Sequence, residues 1–144
     1  IYPNKQFVFQ GVDFTNIVDG EDISCSLGTI WTCIDVTIDE KYYWIGLILE
    51  NSNKEKIFKN MAQFEKKDNY AFSLNIAKDY EKKFGKEKWH LILEQKVKVG
   101  FTEEMVILSW GEPKSINRSS SGDQWIYEEN YLYFDNNGIM TSFN

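Results

Sequence analysis

The period of the hydrophobic pattern changes part-way along this chain, and that change limits the fold class. Residues 29–39, TIWTCIDVTID, alternate with a period of two, which predicts a half-buried strand. One predicted face carries Ile30, Thr32, Ile34, Val36 and Ile38. After turn signals, YYWIGLILEN and KIFKN predict two more strands, so we expect an antiparallel meander in the first half. Residues 1–28 give no clear pattern.

From Ser73 onward the pattern becomes helical. Ile76, Tyr80 and Phe84 recur at helical spacing before Gly85, which predicts a helix over 74–84. The segment KEKWHLILEQ predicts a second short helix, with a strand as the alternative. A third short helix is expected to begin after Thr102, whose side chain can cap it, and to end at Gly111 before Pro113.

The last segment of the chain predicts strands again. Trp125 and Tyr127 fall on one face of a strand, and a turn separates them from the next strand, YLYF. Asn136-Asn137-Gly138 predicts a type I′ hairpin turn leading to a final strand, IMTSF, and the serine run 119–121 with Gly122 predicts a mobile loop. We therefore expect an α+β fold with helices packed on a C-terminal three-stranded antiparallel sheet. The expected regions are 1–68 and 69–144, with a boundary near 66–72, or else one continuous domain.

Composition and charge exclude some classes of partner. The formal net charge is −6 and no Lys/Arg stripe is present, so we expect no nucleic-acid partner. No apolar run approaches the roughly 20 residues of a membrane-spanning helix. The chain opens without an initiator Met, and a signal peptide, a membrane tether or other sequence is expected upstream of Ile1. Cys25 and Cys33 predict either a disulfide or two small hydrophobic side chains.

Motifs for chemistry are sparse. His90 is the single histidine, and the chain has no nucleophile elbow and no Cys/His spacing for zinc. The segment DNNGIMTSFN lacks the acid that would complete a calcium loop. The pairs Glu103/Glu104 and Glu128/Glu129 are neighbours in sequence, which does not bring their carboxylates together. We expect no catalytic residue, no metal and no cofactor; the alternative is a hydrolase that uses acidic residues and His90.

One feature indicates binding. If Leu132 and Phe134 pack against the helices, then the alternate rings point away from them on an outward face. That predicted face carries Trp125, Tyr127, Tyr131 and Tyr133. Tyr and Trp supply a large contact area with a polar handle, which is typical of binding surfaces. The alternative is that the N-terminal meander covers this face.

Four segments carry a family resemblance: Val97–Val106 (VKVGFTEEMV), Gly111–Pro113 (GEP), Trp125–Tyr127 (WIY) and Tyr133–Gly138 (YFDNNG). In this order they resemble a module of the SmpA/OmlA lipoproteins of the outer-membrane β-barrel assembly machinery. β-Lactamase-inhibitor proteins share a similar scaffold. With SWGEPKSIN and QWIY, the chain is similar, more closely, to uncharacterised secreted proteins of gut Bacteroidetes.

This resemblance implies a scaffold without catalytic residues that binds different partners. The expected function is a non-enzymatic, extracytoplasmic binding or scaffold module of a bacterial cell envelope, located in the periplasm or at the cell surface. Its expected partner is a protein. The alternatives are a small inhibitor or immunity-type protein, and the hydrolase already named.

Overall fold

A computed structural model describes residues 2–11, 13–24, 27–41, 43–60 and 71–144. The chain divides into two compact units, Ile1–Lys86 and Glu87–Asn144. The boundary predicted near 66–72 lies largely outside the described residues. The α+β class is confirmed, since each unit contains helix as well as antiparallel strands.

The first unit is built on an antiparallel sheet. Within the described ranges its strands are β1 (Gln6–Phe9), β2 (Asp13–Thr15), β3 (Asp22–Ser24), β4 (Trp31–Asp39), β5 (Trp44–Glu50), β6 (Lys56–Asn60) and β7 (Ala71–Ser73). Five of them pair in the order β6-β5-β4-β1-β7, and β2 and β3 form a separate hairpin. The predicted meander is confirmed as β4, β5 and β6, and the region without a clear pattern supplies β1 to β3.

A β-bulge interrupts the predicted alternation of β4. The register between β4 and β5 shifts between Cys33 and Asp35, so that Cys33 pairs with Leu49 while Val36 pairs with Leu47. Because directly paired residues share a face, Val36 lies on the same face as Cys33 and not on the opposite one. The predicted uniform face of alternating residues is therefore wrong. Its physical reason is the extra residue at the bulge, which reverses the facing of every residue after it.

The core of the first unit lies on the face that carries Trp31 and Cys33. It consists of Phe7, Phe9, Ile23, Trp31, Cys33, Leu47, Leu49 and Ile57, all buried. Phe14 of the small hairpin packs its ring edge-on to Phe9 and Trp31, with ring centres 5.7 Å apart in both pairs. Cys33 is a free buried thiol, and burial raises its pKa. Cys25, the other half of the predicted disulfide, lies outside the described residues.

Helix α1 (Leu74–Phe84) follows β7 and packs against β1 and β7. The Ser73 side chain accepts a hydrogen bond from the backbone of Ile76, and Gly85 follows the last turn with a positive φ of 89°. The helix predicted over 74–84 is thus confirmed with both of its ends. The rings of Tyr80 and Phe84, one turn apart, stack with centres 5.5 Å apart.

The second unit contains the helices α2 (Lys86–Leu93) and α3 (Glu103–Trp110) and the strands β8 (Ser115–Ser119), β9 (Gly122–Ile126), β10 (Tyr131–Phe134) and β11 (Met140–Phe143). The first residue of α2, Lys86, is the last residue of the first unit. Both predicted helices are confirmed, and the strand alternative for KEKWHLILEQ is wrong. Four strands pair in the order β11-β10-β9-β8, so the predicted three-stranded sheet is wrong. The strand that was missed is β8, SINRS, an edge strand whose side chains are almost all exposed and therefore lack apolar alternation.

The stretch from Gly100 to Pro113 contains helix α3 and the residues that begin and end it. Thr102 accepts a hydrogen bond from the backbone of Met105 at 3.3 Å and caps α3. Gly111 ends the helix with φ 80°, and its backbone N–H donates to Ile107. Ser109 is buried and donates to the Lys96 carbonyl at 2.5 Å, which ties the helix to the loop before it. The helix is held on several sides, as expected for a short apolar one.

The turn between β10 and β11 differs from the predicted type I′ turn. Gly138 has φ 74°, while Asn136 and Asn137 are not among the described residues with positive φ. A type I′ turn needs positive φ at both central residues. Here Asp135 organises a longer loop instead, because its carboxylate accepts hydrogen bonds from the backbone of Asn137 and Ile139.

Candidate binding face on the C-terminal sheet

The two faces of the C-terminal sheet differ in character. Leu132 and Phe134 are buried, as predicted, together with Met140 and Trp125. On the opposite face, cross-strand pairing places Asn117 beside Gln124, Gln124 beside Tyr133, and Tyr133 beside Ser142. A second row on the same face joins Ser115, Ile126 and Tyr131. We call this surface, defined by these two rows, the outward face.

The predicted outward position of Trp125 is wrong. Trp125 pairs directly with Leu132, so both side chains point to the buried side of the sheet. Only 3% of Trp125 is exposed, and its ring lies 4.5 Å from that of Phe134. Its indole N–H is buried and has no hydrogen-bond partner within the described residues. Trp125 is therefore a core residue of the second unit.

Tyr127 lies just beyond the end of β9 and is half-buried. Its hydroxyl donates to the Gly111 carbonyl at 2.8 Å, and its ring packs edge-on against Trp110 with centres 5.3 Å apart. Burial, assisted by the nearby Glu112 carboxylate, raises the pKa of the Tyr127 hydroxyl well above its ordinary value. These contacts give Tyr127 a packing role that connects the end of α3 to β9.

Tyr131 and Tyr133 do lie together on the outward face. Tyr131 is 41% exposed, and Tyr133 is partly buried. Tyr133 belongs to a short chain of hydrogen bonds across three strands. Asn117 Nδ2 donates to Gln124 Oε1 at 3.0 Å, and Gln124 Nε2 donates to the Tyr133 hydroxyl oxygen at 3.2 Å. These bonds link both amide groups to the phenol across the three strands.

The outward face carries no charged side chain in its two rows, although charged residues make up 26% of the chain. Amide and hydroxyl groups dominate it, with Tyr131 and Ile126 as the large apolar members. Sequence reasoning identified the two tyrosines but missed Asn117 and Gln124. Gln124 precedes Trp125 in β9, so alternation there was a signal for its facing, whereas β8 gives Asn117 one apolar neighbour, Ile116, and no alternating pattern.

A shallow groove of about 490 Å³ opens beside Asn117, Gln124 and Tyr133. Its other lining residues include Arg118 and Asp123, which form an ion pair with Arg118 Nη1 2.9 Å from Asp123 Oδ2. Such a groove can hold a small polar ligand or the polar part of a larger partner. His90, the residue of the hydrolase alternative, is exposed on α2 and does not line it.

Two further observations concern the residues that the structure describes. Within those residues no three His, Cys, Asp or Glu side chains lie close enough to share an ion. No helix formed by them has both the length and the apolar character to cross a membrane.

In comparisons with known proteins, no family model, curated protein or solved structure matches the chain. The resemblance to the SmpA/OmlA module and to the β-lactamase-inhibitor scaffold stays a prediction.

Proposed function

We propose that this protein is a non-enzymatic binding module whose contact surface is the outward face of its C-terminal sheet, with a protein as its partner. The observation that carries the proposal is that Tyr131 and Tyr133 lie on the outward face, whose two rows contain no charged side chain. Aromatic residues are enriched in protein interfaces, whereas charged ones are depleted from interface cores. The amides of the same face would supply hydrogen bonds around the rings.

The resemblance of residues 97–138 supports a place for this module in a bacterial cell envelope, outside the cytoplasm. It is the sequence motif, and not the geometry of the face, that supports this location. Both the inhibitor or immunity-type role and the hydrolase role stay predictions, and no contact in the described residues favours either one.

The test uses the two rings that the structure separates from the core. We expect Tyr131→Ser combined with Tyr133→Ser to remove capture of a partner from envelope extract while the far-UV spectrum stays native. A photo-crosslinking phenylalanine in place of Tyr131 should then give a discrete adduct with the same partner. The adduct identifies a contact at that side chain, which capture alone does not.

Tyr43 offers a matched control, because it is a tyrosine in the first unit and is 85% exposed. Tyr43→Ser should leave capture unchanged, and the photo-crosslinker at position 43 should give no adduct. Equal loss of capture in the Tyr43 variant, or adducts formed equally well from both positions, would overturn the assignment of the contact surface.

A further inference from the structure

The groove on the outward face has a chemistry that points to a second class of ligand. We propose that it binds a neutral saccharide, with Asn117, Gln124 and Tyr133 as the hydrogen-bonding residues and Tyr131 as the adjoining ring. This site shares Tyr131 and Tyr133 with the protein contact proposed above, but it does not depend on that contact, since a saccharide needs only the groove and its rim.

Hydrogen-bonding capacity is the first argument. Each amide side chain offers a carbonyl acceptor and an NH₂ group with two donors. Within the described residues, the Asn117 carbonyl oxygen is not used by the chain of hydrogen bonds, and neither is the second N–H of either amide. The Tyr133 hydroxyl accepts from Gln124, so its own proton remains free to donate. Donors and acceptors thus stand side by side, which matches sugar hydroxyl groups because each of these both donates and accepts.

The spacing of these groups is the second argument. Asn117, Gln124 and Tyr133 are directly paired on three neighbouring strands, so successive side chains are roughly 5 Å apart. Tyr131 lies two residues from Tyr133 along β10, roughly 7 Å away on the same face. A chain of sugar rings lying in the groove would therefore reach the Tyr131 ring with its next unit. A phenol ring of this kind offers an apolar face for C–H groups and a polar edge.

Charge is the third argument, and it disfavours anionic ligands. Among the described residues, the lining contains one cation, Arg118, whose Nη1 donates to Asp123 Oδ2 at 2.9 Å. The remaining carboxylate, Asp135, accepts two backbone hydrogen bonds at its turn. An anionic ligand would meet no unpaired cation in the described part of the lining, on a protein of net charge −6. A neutral ligand meets no such penalty.

The composition of the groove also distinguishes a saccharide from a polypeptide. A stable protein interface buries about 800 Å² on each partner around an aromatic or apolar core, and serine is depleted there. Besides the paired Arg118 and Asp123 and the Asp135 carboxylate, the described lining consists mainly of serine, amide and hydroxyl side chains, including Ser119, Ser121 and Thr141. Its polar lining fits a ligand that presents hydroxyl groups along its whole length.

The experiment is a titration of the uniformly ¹⁵N-labelled chain with maltohexaose, cellohexaose, mannohexaose and N-acetylchitohexaose, each followed by heteronuclear NMR. We expect at least one of them to shift the side-chain amide signals of Asn117 and Gln124 in a saturable way, at millimolar concentration. Gln124→Ala should weaken that binding by roughly tenfold, the loss expected for one hydrogen-bonding group. Asn117→Ala, on the exposed edge strand, should weaken it similarly and serves if the Gln124 variant does not fold.

Asn53 supplies the matched control, because it is an exposed asparagine in a turn of the first unit. Asn53→Ala should bind the same hexasaccharide with unchanged affinity. The proposal is overturned if none of the saccharides shifts the two amide signals at 20 mM, or if trigalacturonate or calcium ions shift them at lower concentration. If the photo-crosslinked protein partner contacts position 131 while all saccharides fail, the saccharide site is refuted and the proposed function stands.

Discussion

The opposite positions of Trp125 and Tyr131 give a sharp test of the C-terminal sheet. Trp125 is 3% exposed and packs on Phe134 at 4.5 Å, whereas Tyr131 is 41% exposed. Truncating a buried aromatic ring to alanine costs about 3–5 kcal/mol because both the transfer energy and the packing around it are lost. Changes on an exposed surface usually stay within about 0.5 kcal/mol. We therefore expect the loss of unfolding free energy in Trp125→Ala to be at least about six times the loss in Tyr131→Ser.

The assay is urea unfolding followed by far-UV circular dichroism, which does not depend on the tryptophan that is removed. Typical domains have about 5–15 kcal/mol of stability, so the Trp125→Ala change removes a large share of it. Trp125→Phe keeps a ring and removes an indole N–H that has no partner within the described residues, so it should cost less than half as much. A loss below about 1 kcal/mol for Trp125→Ala, or a larger loss for Tyr131→Ser, would refute the assigned facing of this sheet.

Three further predictions concern other parts of the fold. Thr102→Ala removes the cap of α3 and should lower the free energy of chemical unfolding by about 1 kcal/mol, while Thr102→Ser should keep most of it. Equal stability of the wild-type protein and both variants would argue against the cap. Gly46→Ala places a methyl group against the Phe58 ring and should cost about 1–3 kcal/mol by the same assay, with no loss expected if that ring is not there. Burial lowers the pKa of Lys59 below its ordinary value of 10.5. Between the lowered pKa and 10.5 the unfolded chain therefore binds more protons at Lys59 than the folded chain does. The contribution of Lys59 to the free energy of unfolding rises with pH across that range. Lys59→Met should remove that contribution, which is read as the wild-type minus variant difference in unfolding free energy between pH 7 and 10.5; a difference independent of pH would contradict it.

The helices were predictable because their signals are local. Thr102, Gly85 and Gly111 mark helix ends through their own side chains or backbone angles, and each has the predicted role in the structure; Ser73 also caps a helix, a role that was not predicted for it. A cap bonds to a residue only a few positions away, so the sequence around it contains all the information needed. The same holds for the strands with alternating apolar residues.

Pairing between strands was less predictable, and this explains the errors at the site. Alternation along the chain places Trp125 of β9 and Tyr127, just beyond its end, on one face, but it does not say which residues of β10 lie opposite them. The observed register pairs Trp125 with Leu132 and so turns Trp125 inward. The bulge after Cys33 reverses facing in the same way, through an extra residue that no local pattern marks.

The most direct measurement of the central claim is solvent accessibility at the two faces of the C-terminal sheet, recorded as NMR signal loss on adding a neutral gadolinium chelate. The account predicts strong attenuation of the Tyr131 ring signals and of the Asn117 side-chain amide, with the Trp125 indole N–H signal retained. An attenuated Trp125 indole beside a protected Tyr131 ring would contradict it, because the surface assigned to binding would then be the buried one.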